Sequence, residues 1–303
     1  MSDHPRRLRR VQLAVPGSSE KMLQKAAASA ADHVFCDLED AVAPKAKAAA
    51  RDTVVWALNS LDWQAKTRSV RVNDVSTEWC HDDIITVVEK AGQNLDTIIL
   101  AKARDAADVI FVDRLLGQLE KKLQRPRRIG LEVLIEEAVA LQGVEAIAAA
   151  SDRLEALIFG MGDYSASQGI DPRALNGAAD YPGDIFHFAR FRIAMAARAA
   201  GLEAIDGPFP DFGNAEGFRT EARRARALGM SGKWAIHPAQ IALALEVFTP
   251  STEEVAHARK IAAAYREAEA RGLGSCQVDG VMVDLAVLRL VQGTLDRADQ
   301  IGL

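Results

Sequence analysis

The stretch Leu154–Asp163, LEALIFGMGD, begins as a strand and finishes on a carboxylate. Its first six residues are largely apolar and suit a strand lying between packed layers. A turn carrying Gly160 and Gly162 then delivers Asp163. Desolvating a carboxylate is costly unless it is paired or bound to a cation, so a strand built for burial that ends this way points to a polar edge with a use.

Seven other runs share the pattern. Short β-rich segments at 11–17, 33–40, 68–74, 97–103, 128–136, 203–209 and 232–238 join 154–163 to make eight predicted strands. Between them lie Ala-rich stretches with helical spacing of apolar residues, such as SEKMLQKAAASAA, KAKAAARDTVVWALNSL and AEGFRTEARRARALG. Strand–helix alternation implies parallel strands joined by right-handed crossovers, and eight units suit a (β/α)₈ TIM barrel, typically about 250 residues. A doubly wound sheet is the alternative, but PGSS after the first strand is not its GxGxxG turn. In a closed barrel the strand ends, near Gly17, Asp37 to Asp40, Arg71, Lys102, Glu136, Asp163, Asp206 and His237, share one rim. That rim carries active sites in this fold.

The alternation stops after His237. Residues 1–245 are therefore assigned to the barrel and 246–303 to a C-terminal helical lid or arm, with STEEVAHARKIAAAYREAEARG (251–272) as one amphipathic helix and a second helical run from about Val283. Composition alone favours an arm that packs against a neighbouring subunit over a lid carrying Asp284 to a site.

The chain has 303 residues, 49% hydrophobic and 26% charged, with a net charge of −5. These are the proportions of a globular protein, and the net negative charge argues against a general nucleic-acid binder. Arg6, Arg7, Arg9 and Arg10 form the one dense basic cluster, read as a solvated tail. Cys36, Cys80 and Cys276 have neither disulfide nor zinc spacing, which fits a reducing cytoplasm. No run of about 18 apolar residues suggests a membrane span.

Glu136 and Asp163 close consecutive strands and stand 27 residues apart in the chain. Two neighbouring rim carboxylates suit an oxygen-loving divalent cation, Mg²⁺ foremost; a pair of solvated or ion-paired acids at helix starts fits the spacing equally well. Arg71 sits where strand alternation would place an apolar residue. It can grip a carboxylate or developing enolate, or pair with Asp37 or Glu39 in the barrel mouth. Most of the acids in DLEDAVAPKAKAAAR read as ion-pair partners rather than metal ligands. Lys102 could be a Schiff-base nucleophile, but AKARD offers no clear apolar pocket to lower its pKa. His237 receives no acid–base role.

Taken together, VPGSSEKMLQKA, FCDLEDAVAPKAKAAAR, VRVN, LEVLIEEA, FGMGDYSAS, DGPFPDFGNAEGFRTEARRARALGM and GKWAIHPAQI resemble the citrate lyase β-subunit-like acyl-CoA lyases of the HpcH/HpaI aldolase superfamily. The branch most similar is that of the malyl-CoA, β-methylmalyl-CoA and citramalyl-CoA lyases. The resemblance implies a Mg²⁺-dependent barrel, with Mn²⁺ able to stand in, forming homotrimers or homohexamers. It implies metal binding by Glu136 and Asp163 and substrate contact by Arg71. It also implies acyl-CoA contact along Gly162, Asp163, Ile236 and His237, and phosphate contact by Lys25. VMVD matches the lid motif whose Asp, here Asp284, serves as acid/base in a neighbouring subunit's site, which turns the arm into a lid.

Two departures stand out. Ala14 and Ser19 replace an aromatic residue and an Arg around the family's GPGSR turn, which weakens CoA grip unless the arginines at 6 to 10 substitute. The loop GIDPRALNGAADYPGD after Asp163 is shorter than in the malyl-CoA branch. The activity implied is retro-Claisen cleavage of a 3-hydroxy-3-carboxyacyl-CoA to an acyl-CoA plus glyoxylate or pyruvate. The alternatives are a (3S)-malyl-CoA thioesterase and a citrate lyase β-type subunit working in a complex.

Overall fold

Eight parallel strands close on one another: β1 (Val11–Pro16), β2 (His33–Asp37), β3 (Thr67–Val72), β4 (Thr97–Leu100), β5 (Gly130–Ile135), β6 (Leu154–Phe159), β7 (Glu203–Asp206) and β8 (Gly232–Ala235). β1 pairs with both β2 and β8, which completes the ring. The computed structural model describes Pro5, residues 7–175 and residues 181–303. All eight predicted strands are present, and helices fill the intervals between them. Each strand stops one to four residues before the end read from the sequence. The polar residues past the last ladder bond bend into loops and helix starts, so Lys102, Glu136, Asp163 and His237 stand just beyond the strands.

Side-chain alternation sorts the barrel interior into layers. Lowest is a polar layer, in which Gln12 bridges His33 and Glu132, Ser69 meets His33 and Thr97, and the Trp234 indole donates to Gln12. Two residues further along the strands lies an apolar layer of Phe35, Ile99, Leu134, Ala156, Ile158, Ile205 and Trp234, with Ala14 against it. Another two residues on from Phe35 and Leu134, the same faces present Asp37 and Glu136, and on β3 Arg71 stands two residues beyond Ser69. The period that puts Leu134 in the core therefore puts Glu136 at the mouth.

The arginines near the N-terminus are not a solvated tail. Arg9 is buried and donates to Glu132 at 3.0 Å and to Glu155, Arg7 donates to Glu155 at 2.9 Å, and Arg10 donates to Asp32 at 2.8 Å. These partners lie at the N-terminal ends of the strands, opposite the rim, so Arg7, Arg9 and Arg10 cannot replace a phosphate-binding charge at the mouth. Arg6 lies outside the described residues. Ser19 caps the helix Glu20–Ala27, its side chain accepting from the Met22 amide.

By contacts the chain divides into two compact units, one up to Leu245 and one from Glu246. The second is built on helix Thr252–Ala270, opened by a capping box between Ser251 and Glu254. A hairpin follows, β9 (Ser275–Val278) and β10 (Val281–Asp284), which the sequence reading did not include; helix Leu285–Ile301 comes after it. Asp279 and Gly280 both take positive φ, 52° and 81°, as a two-residue hairpin turn with Asp-Gly requires. Ile261, Tyr265, Val278 and Val283 form this unit's own core. The three cysteines are free, and burial pushes the thiols of Cys36 and Cys80 up to about 12. Among the described residues no helix is long and apolar enough to cross a membrane.

Candidate active site

Across the C-terminal end of the barrel lies a cleft of about 460 Å³, walled by Asp37, Asp40, Arg71, Glu136, Asp163 and Trp234 together with Ala14, Gly160, Gly162, Pro208 and Ile236. Of the residues singled out from the sequence, the fold thus brings Arg71, Glu136, Gly162, Asp163 and Ile236 into one wall. The Ile236 amide is already committed to the Gln240 side chain at 2.9 Å. Lys25 and His237 do not line the cleft. Lys25 is exposed in the last turn of helix Glu20–Ala27, and His237 is exposed with its ring stacked on Phe212 at 4.8 Å. Asp284 belongs to the second unit, where its carboxylate caps helix Leu285–Ile301 by accepting from the Ala286 and Val287 amides at 2.9 and 3.1 Å. Part of the loop after Asp163, residues 176–180, lies outside the described residues.

Arg71 takes the second of its two readings, as the ion-pair partner of Asp37 and Glu39 in the barrel mouth. Its Nε and Nη2 donate to the two oxygens of Asp37 at 2.7 and 2.6 Å, and Nη1 lies 3.0 Å from Glu39. A guanidinium carries five N–H donors, so two remain for the cleft. The group also lies over the Trp234 ring, 5.6 Å from its centroid. Asp37 accepts as well from the Glu39 and Ala41 amides, which commits it to holding Arg71 rather than a metal.

Glu136 is 2% exposed, and its Oε1 accepts the Lys102 amide at 2.7 Å. No donor among the described residues meets Oε2. Burial pushes this carboxyl up to about 8, the neighbouring Asp163 charge acting the same way against Arg71 and Lys102. Gly160 makes the arrangement possible, since a Cβ there would stand 2.4 Å from Glu136 Oε2. Asp163 sits in the first turn of helix Met161–Gln168, where negative charge is favoured, and its side chain is 40% exposed toward the cleft. Glu136 is too deeply buried to be a mere helix-start acid.

Among the described residues, no three His, Cys, Asp or Glu side chains gather to cage a metal with protein ligands alone. Two hard carboxylates on adjacent loops, one with a free oxygen and a buried anionic form that calls for a cation, instead match what Mg²⁺ takes from a protein when water and substrate complete its octahedron.

Lys102 bonds Glu39 and Asp40, and lies 3.4 Å from Asp163 Oδ2. Burial opposes its charge, yet the carboxylates around it prevail and hold the ammonium above its ordinary value. That is the reverse of what a Schiff-base nucleophile needs. Sequence reasoning missed this clasp, and it missed Trp234 beneath Arg71, although alternation along GKWAIHP sets Trp234 and Ile236 on one face.

The HpcH/HpaI aldolase/citrate lyase family matches residues 10–238. An L-malyl-CoA/beta-methylmalyl-CoA lyase of Cereibacter sphaeroides is 44% identical over 98% of this chain and 97% of its own. A (3S)-malyl-CoA thioesterase of the same species is 34% identical over 96% and 94%. The crystal structure of the protein CitE from Mycobacterium tuberculosis, in complex with magnesium, acetoacetate and coenzyme A, superposes with a TM-score of 0.74 at 32% identity, covering 95% of this chain and 97% of that one. An eight-stranded parallel barrel, a carboxylate pair beside a held arginine, and relatives spanning nearly the whole length agree: the chain belongs to the HpcH/HpaI aldolase/citrate lyase family.

Proposed function

We propose that this protein is a Mg²⁺-dependent carbon–carbon lyase that cleaves a 3-hydroxy-3-carboxyacyl-CoA, with malyl-CoA and β-methylmalyl-CoA as first substrates and citramalyl-CoA as a further one. The observation that carries the reading is the meeting of Glu136, Asp163 and Arg71 in one cleft, in a chain 44% identical to a lyase of that kind. Glu136 and Asp163 would hold the metal, with Mn²⁺ able to replace it. When bound, the ion supplies Lewis-acid polarisation of the oxygens of the departing α-keto acid.

The chain's own residues do the rest. The two uncommitted N–H groups of Arg71 offset negative charge as the C2–C3 bond breaks and the acyl fragment becomes a thioester enolate. Asp37 and Glu39 keep the guanidinium from swinging, so its donors are placed before substrate arrives. Asp284 takes the proton that the 3-hydroxyl gives up as its oxygen becomes the keto group and returns it to the acyl carbon, from the lid of a neighbouring subunit in a homotrimer or homohexamer; the likeness of VMVD to the lid motif supports this assignment. Gly162, Ile236, His237 and Lys25 would follow the coenzyme outward.

The 34% identical thioesterase keeps hydrolysis of malyl-CoA as a second reading. A panel of malyl-, β-methylmalyl-, citramalyl- and citryl-CoA with Mg²⁺, followed for keto acid and for free thiol, separates the two. Keto acid without thiol is the lyase result; thiol without keto acid overturns it. Turnover of free thioesters by the purified chain also excludes a subunit that works only inside a citrate lyase complex.

A further inference from the structure

Lys102 ties together loops that follow four strands of the barrel. Its backbone lies in the left-handed region, φ 49°, which turns the amide onto Glu136 after β5. Its ammonium bonds Glu39 and both oxygens of Asp40 after β2, the latter at 3.1 Å, and approaches Asp163 after β6. Asp40, Glu136 and Asp163 line the cleft, whereas Lys102 stands behind them. Whatever Lys102 does to a bound molecule, it does through those carboxylates.

The distribution of charge at the mouth gives that position a consequence. Five carboxylates, those of Asp37, Glu39, Asp40, Glu136 and Asp163, face two cations, Arg71 and Lys102. Arg71 is held by Asp37 and Glu39. The ion pair that Asp40 makes is with Lys102, and Asp40 is otherwise an unbalanced acid in the wall. A 3-hydroxy-3-carboxyacyl thioester brings a carboxylate to this mouth, and like charge in its path disfavours its entry.

We propose that Lys102 is the positioning residue that admits an anionic substrate: it draws Glu39 and Asp40 onto itself and balances them, leaving Glu136 and Asp163 as the acids presented to the cation. The inference rests on the acyl-CoA lyase reading of the cleft.

Lys102→Gly is the informative variant, because Gly takes positive φ freely and so keeps the amide on Glu136 while deleting the ammonium. Steady-state kinetics with malyl-CoA are expected to show KM raised on the order of tenfold, with kcat within about threefold. Calorimetric titration with Mn²⁺ is expected to show affinity kept or tightened, since a repelling cation has gone. Lys102→Arg restores KM. Adding Asp40→Asn to Lys102→Gly recovers most of the loss by removing the acid set free, a rescue that a purely structural role for Lys102 would not give.

Unchanged KM in Lys102→Gly, loss of Mn²⁺ binding, or no recovery with Asp40→Asn overturns the proposal. If the wild-type protein does not turn over malyl-CoA, the lyase reading fails by itself; the Lys102 comparison is then made on calorimetric binding of pyruvate to the Mn²⁺-loaded protein, with the same directions expected for Kd. Should Lys102→Gly not fold by circular dichroism, Lys102→Met takes its place in every arm.

Discussion

Arg71 and Asp37 stand directly opposite each other on β3 and β2, joined by two parallel hydrogen bonds of 2.7 and 2.6 Å. The pair lies at the inner edge of the cleft, Asp37 two residues beyond the apolar Phe35 on β2 and Arg71 two residues beyond the polar Ser69 on β3. A planar fork fixed in this way differs from a mobile cation, because its unspent donors point to one place.

Arg71→Lys therefore keeps the charge and loses the function. With malyl-CoA, kcat is expected to fall about 10²–10³-fold while Mn²⁺ binding persists. Steady-state kinetics beside a calorimetric metal titration check it, and a variant with near wild-type kcat would remove Arg71 from the chemistry.

Gly160→Ala places a methyl group 2.4 Å from Glu136 Oε2. Either Glu136 or the turn has to move, at a cost of about 1–3 kcal/mol in stability. Metal affinity is expected to fall by an order of magnitude or more, roughly the loss of one well-placed ligand contact. Mn²⁺ titration together with urea unfolding separates the two effects, and unchanged affinity would show that Glu136 tolerates displacement.

Arg9 tests the opposite end of the barrel. Arg9→Ala takes the buried Glu132 carboxylate's arginine away, leaving it the Gln12 amide, and leaves Glu155 to Arg7 alone; it is expected to cost about 3–5 kcal/mol in urea unfolding. The rim is built without it, so kcat measured where the variant is folded stays within about twofold of wild type.

His33 makes the fold acid-sensitive. Burial lowers its pKa to about 4 from an unfolded value of 6.5. Between those values the unfolded chain takes up a proton that the folded chain refuses, so stability is full above pH 6.5 and is lost as pH falls toward 4. The loss is on the order of 2 kcal/mol near pH 5. Urea midpoints at neutral and acid pH check the slope, and His33→Gln is expected to flatten it; an identical slope would assign the sensitivity to other groups.

The architecture was legible because two periodicities alternate along the chain. Buried runs such as LEALIF cannot be confused with Ala-rich helical stretches such as KAAARDTVVWALNS. The strand ends were read too long, since nothing local to GMGD says that the ladder stops at Phe159 and that Asp163 belongs to a helix. The N-terminal arginines were misread because the carboxylates that bury Arg9 lie 123 and 146 residues away. The hairpin after Arg271 announced itself only in Asp279-Gly280, a turn signal flanked by strands of four residues each. The carboxylate pair and Arg71 were readable as candidates, and Asp37 and Glu39 as ion-pair partners. The clasp at Lys102 was not, for it depends on a backbone turn at one residue and on side chains from three distant loops.

The most direct test is a calorimetric titration of metal-free wild-type protein and of Glu136→Gln with Mn²⁺ near neutral pH. Glutamine keeps the shape of the side chain and can still accept the Lys102 amide, so the fold is preserved while one anionic oxygen is removed. One ion bound per chain by wild type and none by the variant at comparable concentrations is the result expected. Equal binding by both would show that the cation, and any cleavage depending on it, is held somewhere other than between Glu136 and Asp163.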